Sequence, residues 1–209
     1  MSQPAEVVYL VDDDPRVREG LSELLASSGI DHVTFGAAAE YLSFDKRDTC
    51  ACLILDLHLP DVNGLELQRQ LNTGSSPPII FISGNGDIPS TVRAIKAGAM
   101  EFLMKPVEPL ALLSAIRGAF SEDRKQRQKR AELAELQRRF SSLTPREREA
   151  LPLIAAGMLN KQAAASLGIT EVTLQVHRGQ IMRKMKADSF AELVRMAGKL
   201  SISTPDTAL

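Results

Sequence analysis

The chain has 209 residues, 44% of them hydrophobic and 24% charged, enough to bury a core and to hold one domain of ordinary size plus a smaller one. Its net charge of −1 conceals an asymmetry: residues 1–120 carry 16 Asp/Glu against 9 Lys/Arg, a charge of −7, whereas residues 121–209 carry 10 against 16, a charge of +6. No run approaches the ~18 apolar residues of a membrane span, and Met1-Ser2-Gln3-Pro4-Ala5-Glu6 lacks the basic and apolar parts of an export signal, so the expectation is a cytoplasmic chain with no membrane partner.

Val7-Val8-Tyr9-Leu10-Val11 is an apolar, β-rich run closed by Asp12-Asp13-Asp14-Pro15. An amphipathic segment follows, with Val17, Leu21, Leu24 and Leu25 on one side and Ser27-Ser28-Gly29 at its end. The alternation then repeats. Strands are predicted at His32–Phe35, Cys52–Leu55, Ile79–Ile82 and Glu101–Leu103, and helices near Ala37–Phe44, Gly64–Leu71, Pro89–Ala97 and Leu110–Phe120. Five short apolar strands alternating with five helices imply a parallel sheet covered on both faces, with any ligand at the carboxyl ends of the strands. Cys50 and Cys52 are too close for a useful disulfide and too few for a zinc cage, and read as small core residues.

Polar residues gather at those strand ends: Asp12 and Asp13 after the first, Asp56 at the third, Ser83-Gly84 at the fourth and Lys105-Pro106 after the fifth. Singly each has a plain structural reading, as a helix cap, a turn or an exposed charge. Together they describe one rim. Three crowded carboxylates favour a hard divalent cation, and Mg²⁺ suits a site that keeps waters and takes phosphoryl oxygens. A carboxylate beside that cation can act as nucleophile toward a phosphoryl group, with a lysine balancing charge and a hydroxyl donating to a phosphoryl oxygen. Asp56 is the candidate nucleophile, since Asp12 and Asp13 sit together as a metal-holding pair.

Val11-Asp12-Asp13-Asp14, the run Leu55–Gly64 (LDLHLPDVNG), Ser83-Gly84 and Lys105-Pro106 resemble the receiver domain of two-component response regulators over residues 5–120. The resemblance implies an α/β flavodoxin-like fold with strand order 2-1-3-4-5 and phosphorylation on Asp56. It implies Mg²⁺ held by Asp13, Asp56 and the backbone carbonyl of His58, with Asp12 reached through water and the His58 side chain exposed. Ser83 and Phe102 match the switch hydroxyl and the switch aromatic, and Phe102 reads equally well as a core residue. Ser83 stands where threonine is commoner, and Val107 where phenylalanine is frequent.

From Ala119 the composition turns to charged helix formers through Arg139, without Gly or Pro. Leu133, Leu136, Phe140 and Leu143 are spaced three, four and three, a seam that suits either a solvated helical linker or a dimerising stalk. Thr144-Pro145-Arg146-Glu147 then begins a helix with a cap, a first-turn proline and a Glu three residues after the cap. Gly157 ends it, Asn160–Leu167 forms a short second helix stopped by Gly168, and Glu171–Met185 forms a third with Val172, Val176, Ile181 and Met185 expected inward. A last helix, Ser189–Lys199, offers Leu193, Val194 and Met196. Helix, glycine turn and helix form a helix-turn-helix, and Arg178, Arg183 and Lys184 add charge for phosphates.

The run Leu143–Glu149 (LTPRERE), Gly157, Asn160-Lys161, Leu167-Gly168-Ile169, Thr173, Val176-His177 and Ile181–Met185 (IMRKM) resemble a LuxR-type DNA-binding domain, an all-α four-helix unit. With the receiver, the whole chain is similar to regulators of the FixJ/NarL type. The domain plan implied is a receiver at 1–120, a helical linker at 121–142, a DNA-binding domain at 143–201 and a tail at 202–209. The expected DNA-binding residues are Lys161, Thr173, Gln175, Val176, Arg178, Gly179, Arg183 and Lys184, on or beside a recognition helix at Glu171–Lys184; His177 is expected to be structural. Gln175 replaces a lysine common in the family and suits bidentate pairing with adenine. Gly179, where a polar or basic residue is usual, reads either as close backbone approach to DNA or as drift. The expected partners are a sensor histidine kinase, a double-stranded operator and a second copy on activation, the changed surface of the fourth helix, fifth strand and fifth helix either dimerising or releasing the C-terminal domain. An aspartyl phosphatase would need an acid two residues after the nucleophile, where His58 stands. A phosphorylation-independent DNA binder would have no use for the intact Asp12, Asp13, Asp56, Ser83 and Lys105 set.

Overall fold

The computed structural model describes residues 6–71, 76–84 and 88–202, so the expected tail lies outside the described residues beyond Ile202. Among the described residues no helix is long and apolar enough to cross a membrane. The chain divides into two compact units, Met1–Arg127 and Gln128–Leu209.

In the first unit, β1 (Glu6–Val11), β2 (Asp31–Phe35), β3 (Cys50–Asp56), β4 (Ile79–Ser83) and β5 (Glu101–Met104) form one parallel sheet in the order β2-β1-β3-β4-β5. Val7, Tyr9, Val11, Leu53, Leu55 and Phe81 face one core; Val8, Leu10, Cys52, Ile54, Ile80 and Ile82 face the other. Both faces are dry, which is why the central strands read as unbroken apolar runs. Cys50 and Cys52 are indeed buried, and burial, with Asp123 nearby, pushes the Cys50 thiol up to about 11. The pairings Val11↔Leu55, Asp56↔Ile82 and Ser83↔Met104 level the strand ends, so the polar residues that close them emerge at one edge.

The covering helices are α1 (Pro15–Ser27), α2 (Ala38–Ser43), α3 (Gly64–Leu71), α4 (Ile88–Lys96) and the start of α5 (Pro109–Ser141). Asp14 caps α1, its Oδ1 accepting the Arg16 N–H at 2.9 Å with Pro15 in the first turn. The helix expected near Leu110–Phe120 and the helical linker expected after it form one continuous helix to Ser141, because nothing between Ala119 and Ser141 breaks it. Its portion in the first unit is fastened to the amino-terminal edge of the sheet. The buried Asp123 accepts the Ala51 N–H at 3.0 Å, and Arg124 and Arg127 pair with Glu6 and Asp48.

In the second unit the last turns of α5 join α6 (Pro145–Ala155), α7 (Asn160–Leu167), α8 (Glu171–Met185) and α9 (Phe190–Lys199). The Leu136–Leu143 seam is neither solvated nor free: Leu136 and Leu143 are buried in this unit's core with Phe140 packed against it, and only Leu133 is exposed. Thr144 and Glu147 form the capping box, and Glu147 Oε2 also lies 2.7 Å from Lys184 Nζ, joining α6 to α8. Gly157 and Gly168 have φ of +76° and +66°, the left-handed backbone that lets two helices end tightly. One expectation fails here. Val172 and Val176 are 71% and 58% exposed, and the inward residues of α8 are Leu174, Ile181 and Met185. Positions two apart lie about 200° round a helix, so burying Leu174 turns both valines outward. On α9, Leu193 and Met196 are buried and Val194 is 37% exposed.

Two predictions follow from close packing. A methyl group at Gly64 would sit 2.6 Å from the Asp56 carbonyl oxygen and 3.1 Å from Leu57 Cα, so Gly64→Ala should destabilise the first unit by about 1–3 kcal/mol in urea unfolding. Glu147→Ala removes both the cap partner and the carboxylate paired with Lys184, and should cost the second unit about 2 kcal/mol. Burial raises the Glu147 pKa, but Lys184 and the Thr144 N–H outweigh it and hold the carboxyl below its usual range. Its contribution is therefore complete above that range and lost as pH falls through the depressed value, so the wild-type advantage over the variant should shrink in acid.

Candidate functional site

The carboxyl ends of β1, β3 and β4 and the segment after β5 assemble a single polar cluster. Oxygens of Asp12, Asp13 and Asp56 all lie within 4.8 Å of one another. Asp12 and Asp56 are buried and Asp13 is exposed, so the cluster opens to solvent at Asp13. Lys105 Nζ lies 2.6 Å from Asp12 Oδ2 and 2.6 Å from Asp56 Oδ2, bridging the two buried carboxylates. Backbone donors hold the remaining oxygens: the Asp14 N–H donates to Asp12 Oδ1 at 2.9 Å, and the His58 N–H to Asp56 Oδ1 at 3.0 Å. The Lys105 N–H donates to the Ser83 carbonyl at 2.8 Å, which places the lysine at the rim.

These contacts set the charge states. Burial raises the Asp12 pKa, and Lys105 and the Asp14 N–H only partly offset it. Burial acts against the Lys105 ammonium, yet Asp12 and Asp56 outweigh it and hold the lysine above its ordinary range. One ammonium does not neutralise three carboxylates. An oxygen-only donor set with excess negative charge, open on one side, fits a hard divalent cation.

The other expected residues sit close by. Ser83 is buried, with Oγ 3.5 Å from His58 Nδ1, and the His58 residue is exposed as expected. Phe102 is half-buried, its ring centroid 6.3 Å from that of Phe81. Sequence reasoning missed Arg18, whose Nη1 donates to the Asp12 carbonyl at 2.6 Å and pins the backbone between the paired acids. Its one signal is position: it follows Pro15 by three residues, on the helical turn nearest the end of β1.

On the second unit, Lys161, Thr173, Gln175, Val176, Gly179 and Arg183 are exposed. Val172, Gln175, Val176, Gly179 and Arg183 recur at intervals of three or four and form an outward stripe on α8. Thr173 is engaged locally, its hydroxyl 2.9 Å from that of Thr170, the α8 cap. Arg178 and Lys184 are turned to other work. The Arg178 guanidinium lies 4.8 Å over the Phe190 ring of α9, and Lys184 pairs with the buried Glu147.

Residues 8–117 match the response regulator receiver domain family, and residues 141–197 match the luxR family of bacterial regulatory proteins. The chain is 46% identical to the response regulator protein TodT of Pseudomonas putida, over 97% of this chain and 90% of that protein. It is 44% identical to nodulation protein W of Bradyrhizobium diazoefficiens, over 96% and 89%. Among solved structures, the response regulator StyR is similar with a TM-score of 0.79 and 47% identity, covering 93% of this chain and 99% of that one. Full-length FixJ from B. japonicum is similar with a TM-score of 0.53 and 33% identity, covering 94% and 97%. With an acidic cluster at the carboxyl ends of β1 and β3 in its first unit and a helix-turn-helix in its second, this chain belongs to the two-component response regulators, as a transcription regulator that joins a receiver to a LuxR-type DNA-binding domain.

Proposed function

We propose that Asp56 accepts a phosphoryl group from a sensor histidine kinase and that the modified receiver controls operator binding by the LuxR-type unit. The observation that carries this reading is the Asp56 carboxylate itself. It stands at the mouth of the sheet, oriented by the Lys105 ammonium at 2.6 Å and the His58 N–H at 3.0 Å, with two further carboxylates within reach of a shared cation. An Asp56 oxygen attacks the phosphorus of the kinase's phosphohistidine. A P–O bond forms, the P–N bond breaks with its electron pair going to the departing imidazole, and the product is an acyl phosphate. Asp12, Asp13 and Asp56 would hold Mg²⁺, with the His58 carbonyl as a further ligand and Asp12 acting through water; when bound, the cation offsets charge on the transferring phosphoryl group.

The new phosphoryl charge gives Lys105 a stronger partner than Asp12 and gives the Ser83 hydroxyl an acceptor. Phe102, half-buried beside Phe81, then turns inward. The face that senses this carries Val92, Ile95, Met104 and Leu110, exposed apolar residues of α4, β5 and α5 that suit pairing of two activated copies. A dimer would present two α8 helices to half-sites about one DNA turn apart. Lys161 and Arg183 would contact phosphates, with Arg178 and Lys184 available only by leaving Phe190 and Glu147. Gln175 would read adenine while the exposed Val176 packs on a thymine methyl, with Thr173 and Gly179 at the groove. In this reading residues 1–120 are the receiver, 121–142 the connector, 143–201 the DNA-binding domain and 202–209 a tail, in a cytoplasmic protein.

Asp56→Asn should abolish incorporation of label from acetyl phosphate and weaken operator retention under phosphorylating conditions; undiminished labelling would remove Asp56 as the acceptor. Gln175→Ala should relax base preference at one operator position, worth about 1–3 kcal/mol of discrimination. An equal loss on every sequence would instead make Gln175 a nonspecific contact.

A further inference from the structure

The carboxyl end of α8 is held by a residue that lies outside the helix-turn-helix. α8 ends at Met185, with Lys186 in the left-handed conformation at φ 53°. Backbone donors satisfy two of its last carbonyls: the Lys186 N–H reaches Arg183 O at 3.2 Å and the Ala187 N–H reaches Met182 O at 3.0 Å. The Met185 carbonyl is satisfied differently. It accepts from Arg139 Nη1 at 3.1 Å, and Arg139 belongs to the last turns of α5. The guanidinium is oriented from its own helix, since Arg139 Nε donates to Glu135 Oε1 at 2.9 Å. Leu136 and Phe140, on either side of Arg139, pack into the second unit's core and keep this stretch of α5 in place.

The chemistry suits the location. A helix carboxyl end carries partial negative charge and carbonyls without helical partners, and a cation donating there both caps and stabilises it. Arginine does this with one nitrogen while a second holds Glu135, which a lysine cannot copy. The outward stripe on α8 extends to Arg183, two residues before the held carbonyl, so small shifts of this end move the stripe's last contacts.

We propose that Arg139 is a positioning residue for DNA recognition: it fixes the carboxyl end of α8 from the connector helix without itself touching DNA. The inference rests on α8 being the recognition helix, and it places the last turns of α5 within the DNA-reading apparatus rather than in a passive tether.

The test uses the full chain, the tightest duplex selected from a randomised pool, and a scrambled duplex of equal length. Arg139→Ala should lower the preference for the selected duplex roughly tenfold, the size expected for losing a charge-assisted hydrogen bond. The salt dependence should not change, because no phosphate contact is lost. Arg139→Lys should restore part of the preference. A preference left intact in a folded Arg139→Ala variant would overturn the proposal, as would a parallel loss on both duplexes with a salt slope reduced by about one, the mark of a direct phosphate contact. If Arg139→Ala does not fold, Glu135→Gln carries the test, since it keeps the guanidinium but weakens what orients it. A preference reduced about threefold supports the proposal, and an unchanged one overturns it. Gln175→Ala on the same duplexes separates the two levels. If it changes neither the affinity for either duplex nor the preference between them, the assignment of α8 fails; if it alters the preference while the Arg139 and Glu135 variants do not, only the positioning role fails.

Discussion

A single ammonium group holds the receiver rim together. Lys105 Nζ sits 2.6 Å from carboxylates on two neighbouring strands, both nearly excluded from water. Without that cation, Asp12 and Asp56 would face each other as like charges where water screens poorly. The bridge also poises the site. In the reading we propose, a phosphoryl group on Asp56 would deliver new charge to the oxygen partners of Lys105, so the lysine's contacts would be shared out again, and that redistribution would be the differential interaction a switch requires. The geometry comes from the strand register and from Gly64, whose missing side chain lets α3 start against the Asp56 carbonyl.

The second unit applies a related principle to a different end. Its interior contains a charged pair, Glu147 and Lys184, that ties the first helix of the unit to the proposed recognition helix, while Arg139 ties that helix to the end of α5. Basic residues on α8 therefore divide their labour. Lys184 and Arg178 are spent on internal partners, and Arg183 remains outward with Gln175, Val176 and Gly179. A count of positive charges would overstate the outward set; the partners of each charge define it.

Much of this was legible in the residues. The central strands β1, β3 and β4 showed as apolar runs because they are buried on both faces, and the rim showed because polar residues stand at the ends of those runs. Helix boundaries in the second unit were legible where a cap and glycines mark them: Thr144, Gly157 and Gly168. The misses have physical causes. Val172 and Val176 were expected inside because valine is apolar, yet hydrophobicity gives no direction on a helix whose apolar residues occupy more than one face, and Leu174 claims the core. The apolar periodicity of α5 stops at Phe120, so its continuity with the helical linker was not legible; a helix needs only the absence of breakers and a few anchors, here Asp123, Arg124 and Arg127. Arg18 and Arg139 were invisible for another reason: both act on backbone carbonyls, and which carbonyl an arginine reaches depends on tertiary structure alone.

The most direct test of the account is to identify the modified side chain. Treating the protein with a phosphodonor and then with borohydride reduces an aspartyl phosphate to homoserine, which peptide mass spectrometry locates. The account predicts homoserine at position 56 and at no other aspartate. Reduction at position 12 or 13, or the absence of any reduced residue in a fully folded, magnesium-supplied sample, would contradict it.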